Sequence, residues 1–166
     1  MSPARFDPYA VFRELESRHV GYVVIGGLAR VLRGSDELTR GIDLTPSPLE
    51  QNLDRLQQAL ASLDGRRVDG GDLDLNELDP AREPIVRLTT NAGEVNIVLE
   101  PEGTRGYNDL RRRATLEPIG EGLRPKVAGA GDLVRMFEAL GRDNDRLVIE
   151  TMQRVVELDR GLSWGR

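Results

Sequence analysis

Asp43 is the residue on which chemistry could rest. It lies in the run Thr39-Arg40-Gly41-Ile42-Asp43-Leu44, and ahead of it the chain carries Gly26-Gly27 followed by Leu28, Ala29 and Arg30. A glycine pair lets the backbone turn sharply and come close to a ligand, and the N–H groups that open the next helix suit an anion, phosphate included. Other reactive side chains are scarce. The chain has no cysteine, which excludes disulfides, thiolate metal sites and cysteine nucleophiles. His19 is its only histidine, which excludes any mechanism built on a histidine pair, and its place at a helix end suits a solvated or dipole-stabilised residue.

These residues need elements to hold them. Val23, Val24 and Ile25 form a β-branched run that suits a strand buried on both faces; Gly26-Gly27 breaks it, residues 28–32 read as a short helix, and residues 39–47 hold a second strand. Before them, Asp7-Pro8 caps a helix with Val11, Phe12 and Leu15 on one face, ending near His19. After them, Ser47-Pro48-Leu49-Glu50 reads as a capping box, and Leu49, Leu53, Leu56, Leu60 and Leu63 follow at helical spacing, a stripe expected to face the sheet. Residues 66–84, rich in Asp, Gly and Pro, read as an irregular solvated connection without the ligand spacing of an EF-hand.

Residues 85–90 and 94–100 predict an antiparallel hairpin about Asn91-Ala92-Gly93, with Glu94, Asn96, Val98 and Glu100 on one face of the second strand. A short helix follows over 107–114. It contains Arg111-Arg112-Arg113, which point in three directions and so do not form one clamp. Residues 116–127 predict a smaller hairpin. A helix from Gly131-Asp132 and a last helix over about 145–159 are expected to pack as a hairpin.

Taken together, this order resembles the nucleotidyltransferase superfamily, with the fold of DNA polymerase beta, and in particular its small bacterial abortive-infection (AbiEii-type) and toxin–antitoxin branches. The residues that carry the likeness are Gly26-Gly27, the segment Thr39-Arg40-Gly41-Ile42-Asp43 in place of Thr-x-Asp-x-Asp, and Gly93-Glu94-Val95-Asn96 in place of Gly-x-x-Asp. Pro101-Glu102-Gly103-Thr104-Arg105-Gly106-Tyr107 follows, then Leu133-Val134-Arg135, Glu138-Ala139, Gly141-Arg142 and Asp145. The likeness spans roughly residues 9–158.

The resemblance implies an α/β (α+β) fold, a mixed sheet flanked by helices with a C-terminal helical hairpin. It implies a core over residues 1–128 with residues 129–166 packed on it as one compact unit. It also implies roles: Asp43 as metal ligand and catalytic residue, with Gly26, Gly27, Arg30, Thr39, Arg135, Arg142 and Asp145 on the substrate. The departures fall at polar positions. Gly41 and Asn96 stand where two of three metal carboxylates are expected, and Phe137 and Asn144 where lysines would face phosphates.

Nucleotidyl transfer uses two Mg²⁺ ions about 3.5 to 4 Å apart that clamp the attacking and leaving oxygens. With one carboxylate left, a weak site for a single Mg²⁺ is the most this set offers. Glu94, two residues from Asn96 and roughly 6 to 7 Å along the strand, is the first acid that could compensate. Restoring the set with Gly41→Asp and Asn96→Asp is expected to raise Mg²⁺ affinity.

Two functions follow. One is a silent or weak nucleotidyltransferase fold that binds a nucleotide or a protein partner, in a toxin–antitoxin setting. The other is an active enzyme that moves a nucleotide from a nucleoside triphosphate to RNA or a protein hydroxyl. Beside both stands the plain alternative that the glycine turn and Asp43 serve only backbone geometry and a helix cap.

Composition sets outer bounds. At 166 residues, 39% hydrophobic and 31% charged, the chain suits one folded domain, and no apolar run reaches the roughly 18 residues of a membrane span. A cytoplasmic protein without a membrane partner is expected. A net charge of −5 argues against indiscriminate coating of nucleic acid, while leaving room for a local basic patch. Lys126 is the only lysine among 23 basic residues.

Overall fold

The computed structural model describes residues 5–141 together with Gln153, Arg154 and Val156. The expected last helix over about 145–159 lies outside the described residues apart from Gln153, Arg154 and Val156, and so do Arg142, Asn144 and Asp145.

A seven-stranded mixed sheet organises the chain. Its centre is β1 (Tyr22–Ile25), all four residues of which are buried, as the β-branched run predicts. β2 (Gly41–Pro46) runs antiparallel to β1, and β5 (Gly93–Ile97) lies parallel to β2 on the other side. β4 (Val86–Thr90) forms the expected hairpin with β5, and β3 (Arg66–Arg67) adds an edge. On the far side β6 (Thr115–Leu116) and β7 (Lys126–Val127) make the smaller hairpin, β7 pairing parallel with β1.

The helices follow the apolar periodicity. In α1 (Pro8–Ser17), Asp7 caps the helix by accepting the Ala10 N–H at 3.2 Å, and Val11, Phe12 and Leu15 are buried. α3 (Glu50–Ser62) buries Leu53, Leu56 and Leu60, and packs on α1 and β2. Its start differs from the expected capping box. The helix begins at Glu50, Ser47 makes no side-chain cap, and Leu49 is 70% exposed and outside the stripe. The reason is that the end of β2 still holds Ser47, whose N–H donates to the Gly21 carbonyl. Buried Asn52 braces the same corner, accepting from the Gly21 N–H at 2.6 Å and donating to the carbonyls of Gly21 and Ser47 at 2.9 Å each. Its three bonds fix where β1 starts relative to where β2 ends, which sets the register of Ile25 against Asp43 at the far end of the pair.

α2 (Gly26–Leu32) follows β1 without a loop and packs on β1, β2 and α5 (Ala130–Ala139). α4 (Tyr107–Leu110) is one turn only, shorter than the sequence pattern suggests. Residues 66–84 are largely irregular, as their composition predicts, apart from β3 and a 3-10 turn at Leu75–Glu77 that Gln57 of α3 clasps through the Leu73 carbonyl and the Leu75 N–H. Among the described residues no helix is long and apolar enough to cross a membrane.

Candidate functional site

Strand pairing lines up the polar residues. Ile25, Asp43, Asn96 and Arg87 are successive partners across β1, β2, β5 and β4, so the last three share one face of the sheet. Gly41 and Glu94 are partners two residues along on that same face. Ile42, Leu44, Val95 and Ile97 alternate to the opposite face and are fully or almost fully buried. A cavity of about 350 Å³ opens over the polar face, with Asp43, Asn96 and Arg87 on the sheet side and Leu133, Met136 and Phe137 of α5 on the other.

Asp43 is held tightly. Asn96 Nδ2 donates to its Oδ1 at 2.8 Å. Its other oxygen lies against the glycine turn: Gly26 has φ +70°, and a Cβ built there would come 2.1 Å from Asp43 Oδ2. Gly26 is therefore required twice, for its left-handed backbone and for the space that the carboxylate fills. On that side the turn presents a carboxylate rather than an open cradle for phosphate. Burial pushes the Asp43 carboxyl up from its ordinary value. The Asn96 bond and the Arg30 and Arg87 guanidinium groups pull it down, Glu94 pushes it up, and burial prevails.

Arg30 reaches the same cavity from α2 but is already engaged. Its Nε and Nη2 donate to Glu37 at 2.9 Å, and its guanidinium lies 4.4 Å from the Phe137 ring centroid. Burial alone would raise the Glu37 carboxyl, yet hydrogen bonds from Arg30 and Ser35 hold it below its usual range. Phe137, where a lysine was expected, thus carries a cation supplied by another helix. Thr39 turns its hydroxyl inward, donating to the Gly41 carbonyl at 3.0 Å. It lies beside Gly27, where a Cβ would meet only ordinary contacts with Thr39 and Arg30. Gly26, Gly27, Arg30, Thr39 and Asp43 therefore form one cluster, as the sequence suggests.

Arg135 does not join them. It pairs with Asp109 at 2.8 Å and Asp132 at 3.2 Å and lines a separate cleft. Arg142 and Asp145 lie outside the described residues. The sequence reading missed Arg87, Ile85 and Met136 as cavity residues. Arg87 was within reach of it, because pairing the hairpin outward from Thr90 and Gly93 brings Arg87 opposite Asn96.

The expected metal does not fit this donor set as a two-ion site. Among the described residues no group of three or more His, Cys, Asp or Glu is arranged to hold a metal ion. Asp43 offers one carboxylate, one of whose oxygens already accepts from an amide, with two guanidinium groups lowering the local negative charge. Nor is Gly41→Asp the simple restoration that sequence alone suggests. A Cβ at position 41 would come 2.7 Å from the Glu94 carbonyl oxygen and 2.9 Å from its Cβ, so the parallel strands would have to part. Close approach of two backbones explains the glycine.

No family model matches the chain, and no curated protein matches it. Solved structures do. The chain is similar to a candidate nucleotidyltransferase from Thermotoga maritima, with a TM-score of 0.56 at 16% identity over 93% of this chain and 96% of that one. It is also similar to the lincosamide antibiotic adenylyltransferase LnuA in its lincomycin-bound form (TM-score 0.59, 14% identity, 91% and 99% covered). A third likeness is to the ANT(2'')-Ia complex with adenylyl-2''-tobramycin (TM-score 0.53, 11% identity, 89% and 95% covered). The chain has the nucleotidyltransferase fold.

Proposed function

We propose that this chain is a nucleotidyltransferase fold kept for binding, weak or silent in transfer, whose cavity beside Asp43 takes the nucleoside part of a nucleotide. The observation that carries the proposal is the Asn96–Asp43 hydrogen bond: the strand position that would supply a third metal carboxylate instead donates a hydrogen bond to Asp43, the one carboxylate left of the expected three. The toxin–antitoxin setting implied by the resemblance is a natural one for such a fold, as is an encounter with a protein partner.

The cavity's charge favours the nucleoside over the phosphates. Its lining brings two guanidinium groups, Arg30 and Arg87, against three carboxylates, Asp43, Glu100 and Glu102, and Arg30 is further offset by Glu37. A metal-free triphosphate gains little there. The apolar wall of Ile85, Leu133, Met136 and Phe137 suits a base, and the volume lies at the small end of ligand cavities. Calorimetry in EDTA with the four ribonucleosides is expected to detect binding of at least one. Ile85→Asp is expected to weaken it about tenfold or more, since it sets a charge against the base. Ile85 is 41% exposed, so the fold should survive the change. No nucleoside binding, or binding indifferent to Ile85→Asp, overturns this use of the cavity.

A second reading rests on Glu94. It shares the face of Asp43, lies close enough to push that carboxyl up, and is exposed to solvent. With Asp43 it would make a two-carboxylate site for a single Mg²⁺ and leave transfer activity in place.

A further inference from the structure

Segment 100–105 separates two clefts. Glu100, Pro101 and Glu102 line the cavity beside Asp43, whereas Gly103, Thr104 and Arg105 line a second cleft completed by Asn108, Asp109, Arg112 and Arg135. We infer that this second cleft is a phosphate-binding site, independent of the nucleoside reading above.

The cleft's own wiring leaves it cationic. Asp109 accepts from the Arg105 backbone N–H at 3.0 Å, from Arg113 Nη2 at 2.7 Å and from Arg135 Nη2 at 2.8 Å. The Arg105 amide bond comes first among the causes that hold its carboxyl down at about 2, and the two guanidinium bonds add to it. Buried Asp132 accepts from Arg113 at 2.9 Å and pairs with Arg135. Two carboxylates are thus matched by Arg113 and Arg135. Arg105 and Arg112 remain as surplus cations, with no side-chain acceptor among the described residues, in a chain whose net charge is −5. Both side chains are exposed and face one cleft, so an anion there would meet two guanidinium groups that no carboxylate of the described residues already holds, and forked N–H donors match phosphate oxygens.

The frame around these donors is fixed. The Thr104 hydroxyl donates to the Pro101 carbonyl at 2.8 Å and accepts from the Gly106 N–H at 3.1 Å. Gly103, at φ +79°, sits so close to α5 that a Cβ would be 3.1 Å from the Arg135 carbonyl. The loop is therefore seated on α5 and clipped to α4 before any ligand arrives, so binding would order little more than the Arg105 and Arg112 side chains. The phosphate could be free, as phosphate or pyrophosphate, or part of a polynucleotide backbone.

The test uses the full chain, pyrophosphate followed by calorimetry, and a fluorescent single-stranded oligonucleotide followed by anisotropy at several salt concentrations. The double variant Arg105→Ala/Arg112→Ala is compared with Arg66→Ala/Arg82→Ala, which removes the same charge from exposed sites elsewhere. The first variant is expected to weaken binding about tenfold or more and, if the oligonucleotide is bound, to lower the slope of log K on log salt by about 0.7 for each lost contact. The second should change affinity less than about twofold, as only long-range charge is altered. Binding of pyrophosphate alone assigns a free phosphate; binding of both, with pyrophosphate displacing the oligonucleotide, assigns a backbone. Binding of neither, or equal losses in the two double variants with thermal melts unchanged, overturns the site.

Discussion

Gly26→Ala is expected to destabilise the protein by about 2 to 5 kcal/mol and to take Asp43 out of place. Two effects add. The left-handed backbone at φ +70° costs an L-residue roughly 1 to 2 kcal/mol, and a forced contact in a packed site typically costs about 1 to 3 kcal/mol. The new methyl would meet not only the far end of Asp43 but also its Cγ at 2.9 Å and Cβ at 3.1 Å, so a swing of the carboxylate does not relieve it. That swing would also break the Asn96 bond. Gly27→Ala is the built-in control. Its Cβ meets nothing closer than 3.6 Å, its φ is not positive, and alanine is the better helix residue by roughly 0.5 to 1 kcal/mol. Chemical denaturation should therefore separate two adjacent glycines by several kcal/mol. Equal midpoints would show that Asp43 does not lie over the turn.

Leu56→Ala should cost about 2 to 5 kcal/mol, the range for truncating a core leucine. Leu56 has no exposed surface and lies on the helix that packs on α1 and β2, so its truncation leaves a cavity in the core. Leu49→Ala, on the same sequence stripe but 70% exposed, should change stability by less than about 0.5 kcal/mol. A similar loss at both positions would mean that the helix starts at Ser47 and buries its first turn, as the capping-box pattern suggests.

That contrast shows where sequence ceases to inform. Period and turn chemistry made α1, the body of α3, both hairpins and the run from β1 into α2 legible, because each is a local pattern. The start of α3 was not, since the Ser47 N–H is taken by the Gly21 carbonyl, a bond made only after β1 and β2 pair. The same limit applies at the site. Gly26, Gly27, Arg30, Thr39 and Asp43 came together because they lie on consecutive elements. Arg135 did not, because Asp109 and Asp132 hold it in the second cleft, and no local spacing encodes that network. Gly41 reads in sequence as a lost carboxylate, but in the sheet it is the place where two backbones come too close for a side chain. Asn96 reads in sequence as a neutral substitute, and in the structure it is the donor that occupies Asp43.

The most direct test of binding without transfer is label transfer from α-labelled nucleoside triphosphates, in excess Mg²⁺, to total RNA and to protein, by the wild-type chain and by Asp43→Asn. The account predicts that both stay at or close to the background of a no-protein control and differ little from each other, because Asp43 is engaged by Asn96 and has no second carboxylate at position 41 or 96. Transfer by the wild type that Asp43→Asn abolishes would contradict it, and Glu94→Gln would then show whether Glu94 completes the metal site.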